Sequence, residues 1–254
     1  EGVDIFQFMG SSSSSERPTQ QIARKIAIDI HNTKKTGGRI IVVAGPVLVH
    51  SGGSDALAKL IRMGYVHGLL AGNALAVHDV ENALMGTSLG MNIRDGALAV
   101  RGHRNHMQAI NEVFKAGSLT TMVRKTILKS GIMYECIVND IPFVLAGSVR
   151  DDGPIPDVIT DIVEAQRRYK RVLEDAKMVL MLSTMLHSIA VGNMLPSSVK
   201  VVAVDISQPV VTKLIDRGTI QAIGIVTDVG SFLPTIVQHL ENFEKITSGK
   251  KAST

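Results

Sequence analysis

The feature that most constrains this chain is a set of short apolar runs, rich in β-branched residues, set between helical stretches. Arg39–Ala44 reads RIIVVA and Val199–Val204 reads VKVVAV. A strand with one wet face alternates apolar and polar residues, whereas runs apolar at both parities must be covered on both faces. Tyr65–Ala71, Lys177–Leu182 and Ile220–Ile225 have the same character. Between these runs lie helical patterns at Gln20–His31, Ser54–Met63, Ala74–Leu84, Pro209–Arg217 and Val229–Phe243, with Ser54 or Asp55 available to cap the second. Strands alternating with helices predict right-handed βαβ units. The fold class expected is α/β, a Rossmann-like parallel sheet with helices on both faces.

The middle of the chain is less regular. Helices are expected at Arg104–Lys115, Ser118–Lys129 and Asp157–Asp175, the last opened by Pro154 and Pro156, and strands at Ile132–Val138 and Phe143–Leu145. Residues 1–18, with five consecutive serines and no initial Met, read as a linker from an upstream domain, so the chain reads as a fragment. Residues 19–247 form the domain and 248–254 a polar tail.

Composition narrows the function classes. Aromatic residues are only 4% of the 254 and Trp is absent, so the core must be aliphatic. The net charge of +4 comes with mild basic groups at Arg101–Arg104, Arg167–Arg171 and Lys250, none interleaved with aromatics. The stacking platform of a single-strand nucleic-acid binder is therefore missing. Met178–Val199 carries no Asp, Glu, Lys or Arg, but Ser183, Thr184, His187, Ser188, Asn193 and Pro196 interrupt it, so it reads as a buried strand and short helix, not a membrane span. The single cysteine, Cys136, excludes an intrachain disulfide and reads as a small buried apolar residue. A reducing cytoplasm is the compartment expected, and a homo-oligomer the assembly.

In an open α/β sheet, ligands bind beyond the carboxyl ends of the strands, where strand order reverses. The informative residues are those that follow each strand: Gly45–Gly53, Gly72-Asn73, Ser183-Thr184, Asp205 and Thr227–Gly230. Ser51-Gly52-Gly53 before a helix is either a close backbone approach to a phosphate or a tight turn. The G-x-G-x-x-G spacing is absent. Asp205 ends a strand about 20 residues after Ser183, the placement of a Rossmann ribose-binding acid, though an acid there also caps turns. In the first reading its carboxylate selects NAD over NADP. Asp228 and Gly230 open the last helix, as an N-cap or to meet a substrate amine. The histidines at 50, 67, 78, 103, 106 and 187 show no HExxH and no compact ligand set, so no metal site is expected.

Longer segments carry a resemblance. Phe6–Met9 with the serine run, VVAGPVLVHSGG (42–53), GLLAGNALAVHDVENALMGTSLG (68–90), RGHRNHMQAIN (101–111) and VVAVDISQPVVTKLIDRG (201–218) resemble the LOR/SDH bifunctional enzyme-like family. That family includes archaeal-type NAD-dependent ornithine cyclodeaminases and the C-terminal part of arginine dihydrolase/ornithine cyclodeaminases. The resemblance implies a deoxyhypusine-synthase-like NAD-binding fold and conversion of L-ornithine to L-proline and ammonia by an internal hydride transfer. Such a site needs a carboxylate for an ammonium, an acid/base and a dry pocket. His50, Asp79 and Asp228 are the catalytic candidates. Ser51, Gly52, Gly53, Gly72, Asn73, Ser183, Thr184, Asp205 and Gly230 are the cofactor-binding candidates. The alternatives are another NAD-dependent amino-acid or polyamine dehydrogenase or transferase, and a non-catalytic NAD-sensing domain.

Overall fold

A computed structural model describes residues 16–88, 91–92, 102–216 and 221–251. Phe6–Met9, the serine run, Arg101 and Gly218 lie outside the described residues. In chain order the elements are α1 (Glu16–Lys35), β1 (Arg39–Ala44), α2 (Val47–His50), α3 (Ser54–Arg62), β2 (Gly68–Gly72), α4 (Asn73–Met85), β3 (Thr87–Ser88) and β4 (Met91–Asn92). Then come α5 (Gly102–Ala116), α6 (Leu119–Arg124), α7 (Ile132–Val138), β5 (Phe143–Ala146), β6 (Val158–Ile159), α8 (Ile162–Leu173) and β7 (Ala176–Leu182). The chain closes with α9 (Met185–Gly192), β8 (Lys200–Asp205), α10 (Gln208–Asp216), β9 (Ala222–Val226) and α11 (Val229–Lys251).

Seven strands form one parallel sheet in the order β6-β5-β2-β1-β7-β8-β9. The chain steps outward from β1 to β2, β5 and β6, then returns to place β7 on the other side of β1. Strand order therefore reverses between β1 and β7. The β-branched runs explain why these two strands are central. Ile40, Val42 and Ala44 enter one apolar cluster with residues of α1, α3, α4, α7 and α11, while Ile41 and Val43 enter a second with residues of α8, α9 and α10. All five are fully buried, as a strand covered on both faces requires.

Several expected elements changed type or extent. Ile132–Val138 is helix α7, not a strand: Ile132, Met133 and Cys136 share a buried side at helical spacing, and a side chain from α4 holds its first N–H groups. The helix expected at Asp157–Asp175 begins later, because Val158–Ile159 pairs with β5 and Asp161 then caps α8 through the N–H groups of Val163 and Glu164. Neither Ser54 nor Asp55 caps α3; its N-cap is Gly53. The Gly45–Gly53 loop contains the single helical turn α2. Helix α1 takes in residues 16–18 of the expected linker, and α11 takes in 248–251 of the expected tail.

The β1/β7 edge is closed by a backbone contact. A Cβ on Gly45 would lie 2.2 Å from the Ser183 carbonyl oxygen, and the Gly45 N–H donates to the Leu182 carbonyl at 2.9 Å. Only glycine permits this approach, because the obstruction is backbone and cannot swing aside. Gly45→Ala is expected to lower unfolding free energy by about 1–3 kcal/mol, read as a lower urea midpoint. An unchanged midpoint would contradict the packing described.

Candidate functional site

All seven strands point their carboxyl ends to one edge, and the loops there gather the polar residues. At the β1/β7 reversal Ser183 adopts the left-handed region at φ 49°, a conformation that a non-glycine residue holds only when its surroundings demand it. Thr184 follows as the N-cap of α9 and makes no side-chain capping bond. The first amides of α9 thus face the reversal point without a side-chain acceptor, the arrangement that receives an anion. Ser188 Oγ, fully buried on the same helix, has no hydrogen-bond partner. On the next strand Asp205 lies beside Val226, and its Oδ1 accepts the Ser207 N–H at 2.8 Å, leaving Oδ2 for another donor. Met185, Leu186 and Ile206 expose apolar surface around this edge.

The other expected residues divide by what their bonds already do. The N–H groups of Ser51, Gly52 and Gly53 donate to the carbonyls of Val47, Val49 and Leu48, so these residues describe a tight turn and bring shape rather than free donors. Gly230 packs against that turn, its Cβ position 2.2 Å from the Ser51 carbonyl oxygen. This contact sets the start of α11, and with it Asp228, beside the loop that carries His50. Asp228 caps α11 through the Ser231 N–H at 2.9 Å and stays partly exposed. Gly72 ends β2 beneath His187: a Cβ there would lie 2.6 Å from the ring Nε2. His187 is held by Tyr169, whose hydroxyl donates to the Ala71 carbonyl at 2.6 Å. Burial holds the His187 imidazole below its usual range and pushes the Tyr169 hydroxyl up. Asn73 is engaged on both sides, donating to the Gly153 carbonyl and accepting the Ile155 N–H, so it clamps that loop.

Asp79 sits apart from the proposed chemistry. It is fully buried, and its two oxygens accept the N–H groups of Ile132 and Met133 at 2.9 and 2.8 Å. Burial pushes its carboxyl up to about 6 against the pull of those two amides. Its role is to cap α7 from α4, an interaction between elements far apart in sequence that position after a strand could not reveal. Cys136 is buried, as expected, and its thiol is pushed up by that burial.

The main surprise is a histidine cluster. Far from lacking a compact set, the histidines at 50, 78 and 106 meet, with ring centroids 4.5 Å apart for His50–His78 and 4.7 Å for His78–His106. Glu81, wholly buried, lies among them. Its Oε2 is 3.2 Å from His78 Nδ1 and 3.3 Å from His106 Nδ1, and its Oε1 accepts the Thr87 hydroxyl at 2.9 Å. Asn105 donates to Thr87, and Ser88 lies 2.6 Å from His50 Nδ1. The His78, Glu81 and His106 ligand-type atoms fall within 4.8 Å of one another, a spacing also met in metal sites, yet here the shared oxygen of Glu81 pairs them directly. The available signal was three ionisable residues in four positions, His78, Asp79 and Glu81, inside an otherwise apolar helical pattern. A cavity of about 530 Å³ between α3 and α7, bordered by Asp55, Arg62, Lys129 and Glu135, includes none of the expected site residues.

With that geometry in place, comparison with known proteins is decisive. The sequence profile described as "Arginine dihydrolase ArgZ-like, C-terminal, Rossmann fold" matches residues 24–236. The chain belongs to that family. An ornithine cyclodeaminase of Methanocaldococcus jannaschii is 58% identical over 250 residues, covering 96% of this chain and 59% of that protein. The chain thus spans about three-fifths of the length of the curated archaeal relatives it matches. The crystal structure of an LOR/SDH protein from Methanococcus maripaludis superposes with a TM-score of 0.87 at 53% identity, covering 93% of this chain and 74% of that one. A ternary complex of AgrE with ornithine and NAD+ superposes at 0.86 with 52% identity, covering 91% and 34%. At 12% identity and a TM-score of 0.55, a deoxyhypusine-synthase-type protein from Entamoeba histolytica shares the fold. No described helix is long and apolar enough to cross a membrane.

Two outcomes follow from the electrostatics and the caps. Burial, and then the neighbouring His78, hold the His50 imidazole down at about 4 against an ordinary 6.5. The fold thus favours neutral His50, and as pH falls from about 6.5 to about 4 the unfolded chain takes up the proton first. Stability present above pH 6.5 is lost across that window, and His50→Gln should flatten this part of the profile in denaturant titrations at stepped pH. Asp79→Ala should cost about 2 kcal/mol through two stranded buried amides. Because Asp79 is a cap, its loss should leave dinucleotide affinity in a fluorescence titration within about twofold; a loss of tenfold or more would return it to the site.

Proposed function

We propose that this chain is the NAD-binding part of an ornithine cyclodeaminase, converting L-ornithine to L-proline and ammonia. The observation that carries the reading is a coincidence at one sheet edge. The reversal of strand order between β1 and β7 lies at the same edge as the loop that leads, through His50, to the buried histidine–carboxylate set. The names of the archaeal relatives and the AgrE complex with ornithine and NAD+ support the same chemistry.

The residues present fit the cofactor. The close Gly45–Ser183 approach leaves bare backbone at the reversal, Ser188 Oγ is a buried donor without a partner, and the α9 amides lack a side-chain cap. Ser183 and Thr184 with the start of α9 would receive the pyrophosphate. Asp205 Oδ2 would accept a ribose hydroxyl, and its negative charge disfavours a 2′-phosphate. Met185, Leu186 and Ile206 offer apolar cover for rings. When bound, NAD supplies a reversible hydride acceptor.

This chain's own part is binding and proton handling. Asp228, partly exposed at the head of α11, offers a carboxylate to a substrate ammonium. His50, kept neutral by burial, can accept a hydrogen bond or a transient proton without holding it. Ornithine carries two ammonium groups; the one on the α-carbon must lose a proton before that carbon is oxidised, and the δ-group before it can attack. The departing ammonia and the new ring nitrogen each take one back, so no net proton is exchanged. Assembly as a homo-oligomer, with cytoplasmic placement, completes the reading.

The direct test incubates the full-length protein with L-ornithine and substoichiometric NAD, following proline, ammonia and absorbance of reduced cofactor. Proline and ammonia in equal amounts, without accumulating reduced cofactor, is the expected result. Stoichiometric reduced cofactor would make the protein a dehydrogenase instead. Asp205→Ala should weaken NAD binding about 10- to 100-fold in calorimetry; an unchanged affinity would leave Asp205 as a turn cap only.

A further inference from the structure

The geometry points to His187 as the base that takes a proton from the α-ammonium of the substrate, with Tyr169 as the positioning residue that keeps Nε2 of that ring an acceptor. This role rests on the cyclodeaminase reading, in which the α- and δ-ammonium groups must each give up a proton. His187 is held by bonds that fix which of its nitrogens carries the hydrogen, and it stands at the carboxyl edge of the sheet.

The tautomer follows from the neighbours. A phenol hydroxyl has one proton to donate, and that of Tyr169 goes to the Ala71 carbonyl at 2.6 Å, an oxygen that can only accept. The same hydroxyl lies 3.2 Å from His187 Nδ1, so in this pair the ring is the donor. A neutral imidazole with its proton on Nδ1 presents Nε2 as an acceptor. Burial favours the neutral ring, holding it below its usual range against the pull of Asp151. Burial also keeps the Tyr169 hydroxyl protonated. Among the described residues, Tyr169 on α8 and Asp151 in the loop after β5 are the titratable groups that act on this ring.

Placement supplies the second half of the case. Nε2 stands 2.6 Å from the position a Cβ on Gly72 would occupy, so the bare backbone at the end of β2 is what admits the ring. His187 lies in the first turn of α9, the helix whose start is the proposed pyrophosphate site. The two halves of a dinucleotide diverge from the pyrophosphate. With one ribose at Asp205 on β8, the other half runs over β1 toward β2, and the reacting carbon of the substrate belongs on that side. In the step itself the ammonium N–H bond breaks, its proton passes to Nε2, and its electron pair stays on nitrogen. That pair becomes the second carbon–nitrogen bond as the α-hydrogen leaves with its own pair as hydride. The same nitrogen later departs as ammonia and takes the Nε2 proton back, which returns His187 to its starting tautomer.

The test uses the full-length protein. His187→Asn keeps an amide N–H at the place of Nδ1, able to donate to Tyr169, and deletes Nε2. Near neutral pH its kcat for proline should fall on the order of 100-fold. NAD affinity in calorimetry should stay within about twofold. The deficit in kcat should narrow as pH rises and free-amine ornithine accumulates. On rapid mixing of equal protein and NAD with ornithine, the variant should accumulate no reduced cofactor. In cofactor-free protein 15N-labelled at histidine, the His187 signals are identified by their loss in the variant. They should show a proton on Nδ1 and none on Nε2. Tyr169→Phe should move that proton to Nε2 and lower kcat on the order of tenfold, and it keeps both rings, so it carries the test if His187→Asn fails to fold. Four results overturn the role: a His187→Asn kcat equal to the parent's, a deficit of the same size at every pH, accumulating reduced cofactor, which would assign the ring to the δ-group, or a proton on Nε2 in the parent. A parent that makes no proline overturns the cyclodeaminase reading and this role with it; proline from the parent with any of those four overturns the role alone.

Discussion

The parallel pairing of β1 with β7 is the constraint on which the rest of the molecule depends. These two strands lie far apart in sequence, yet they run in register from Ile40–Met178 to Ala44–Leu182. Their pairing makes the sheet central, reverses the strand order and brings Gly45 against Ser183. The contact is backbone to backbone, so its geometry is set by main-chain sterics rather than by adjustable side chains. Every loop at the carboxyl edge is placed relative to this seam: α2 and His50 on one side, α9, β8 and Asp205 on the other.

A second link ties this edge to the buried acid–base set. Helix α4 begins where β2 ends, and within four residues it turns two ionisable faces in different directions. Asp79 reaches α7 and fastens it through backbone amides, while His78 and Glu81 reach α5. One helix therefore both secures the packing of the middle third of the chain and carries His78 and Glu81 of the buried histidine–carboxylate set.

Much of the fold was legible in the sequence because it is written in local periodicity. The runs at 39–44 and 199–204 announced strands buried on both faces, and the alternation with helices announced the parallel sheet. The middle third was harder, and for a physical reason. Ile132–Val138 has β-branched ends, but its state is decided by Asp79, 53 positions away from Ile132, a contact no local pattern encodes. Position after a strand predicts that Ser183, Thr184, Asp205, Asp228 and His50 share the carboxyl edge, and topology does carry them there. It could not show that both Asp79 oxygens are engaged by the amides of α7, because being near an edge says nothing about which way a side chain points. It gave no sign that Glu81 and His106 meet, because their contact depends on the packing of α4 against α5. The glycine pair at 52–53 illustrates the remaining ambiguity: both readings share the same residues, and only the destination of the N–H groups separates them.

The proposed function places the dinucleotide across the β1/β7 reversal, with its phosphates at the start of α9. A crystal structure of the full-length protein soaked with NAD tests it most directly. Pyrophosphate density is expected against the Ser183-Thr184 backbone, with a ribose hydroxyl within hydrogen-bond distance of Asp205 Oδ2. Dinucleotide density elsewhere, such as in the cavity between α3 and α7, with the reversal point left to water, would contradict it.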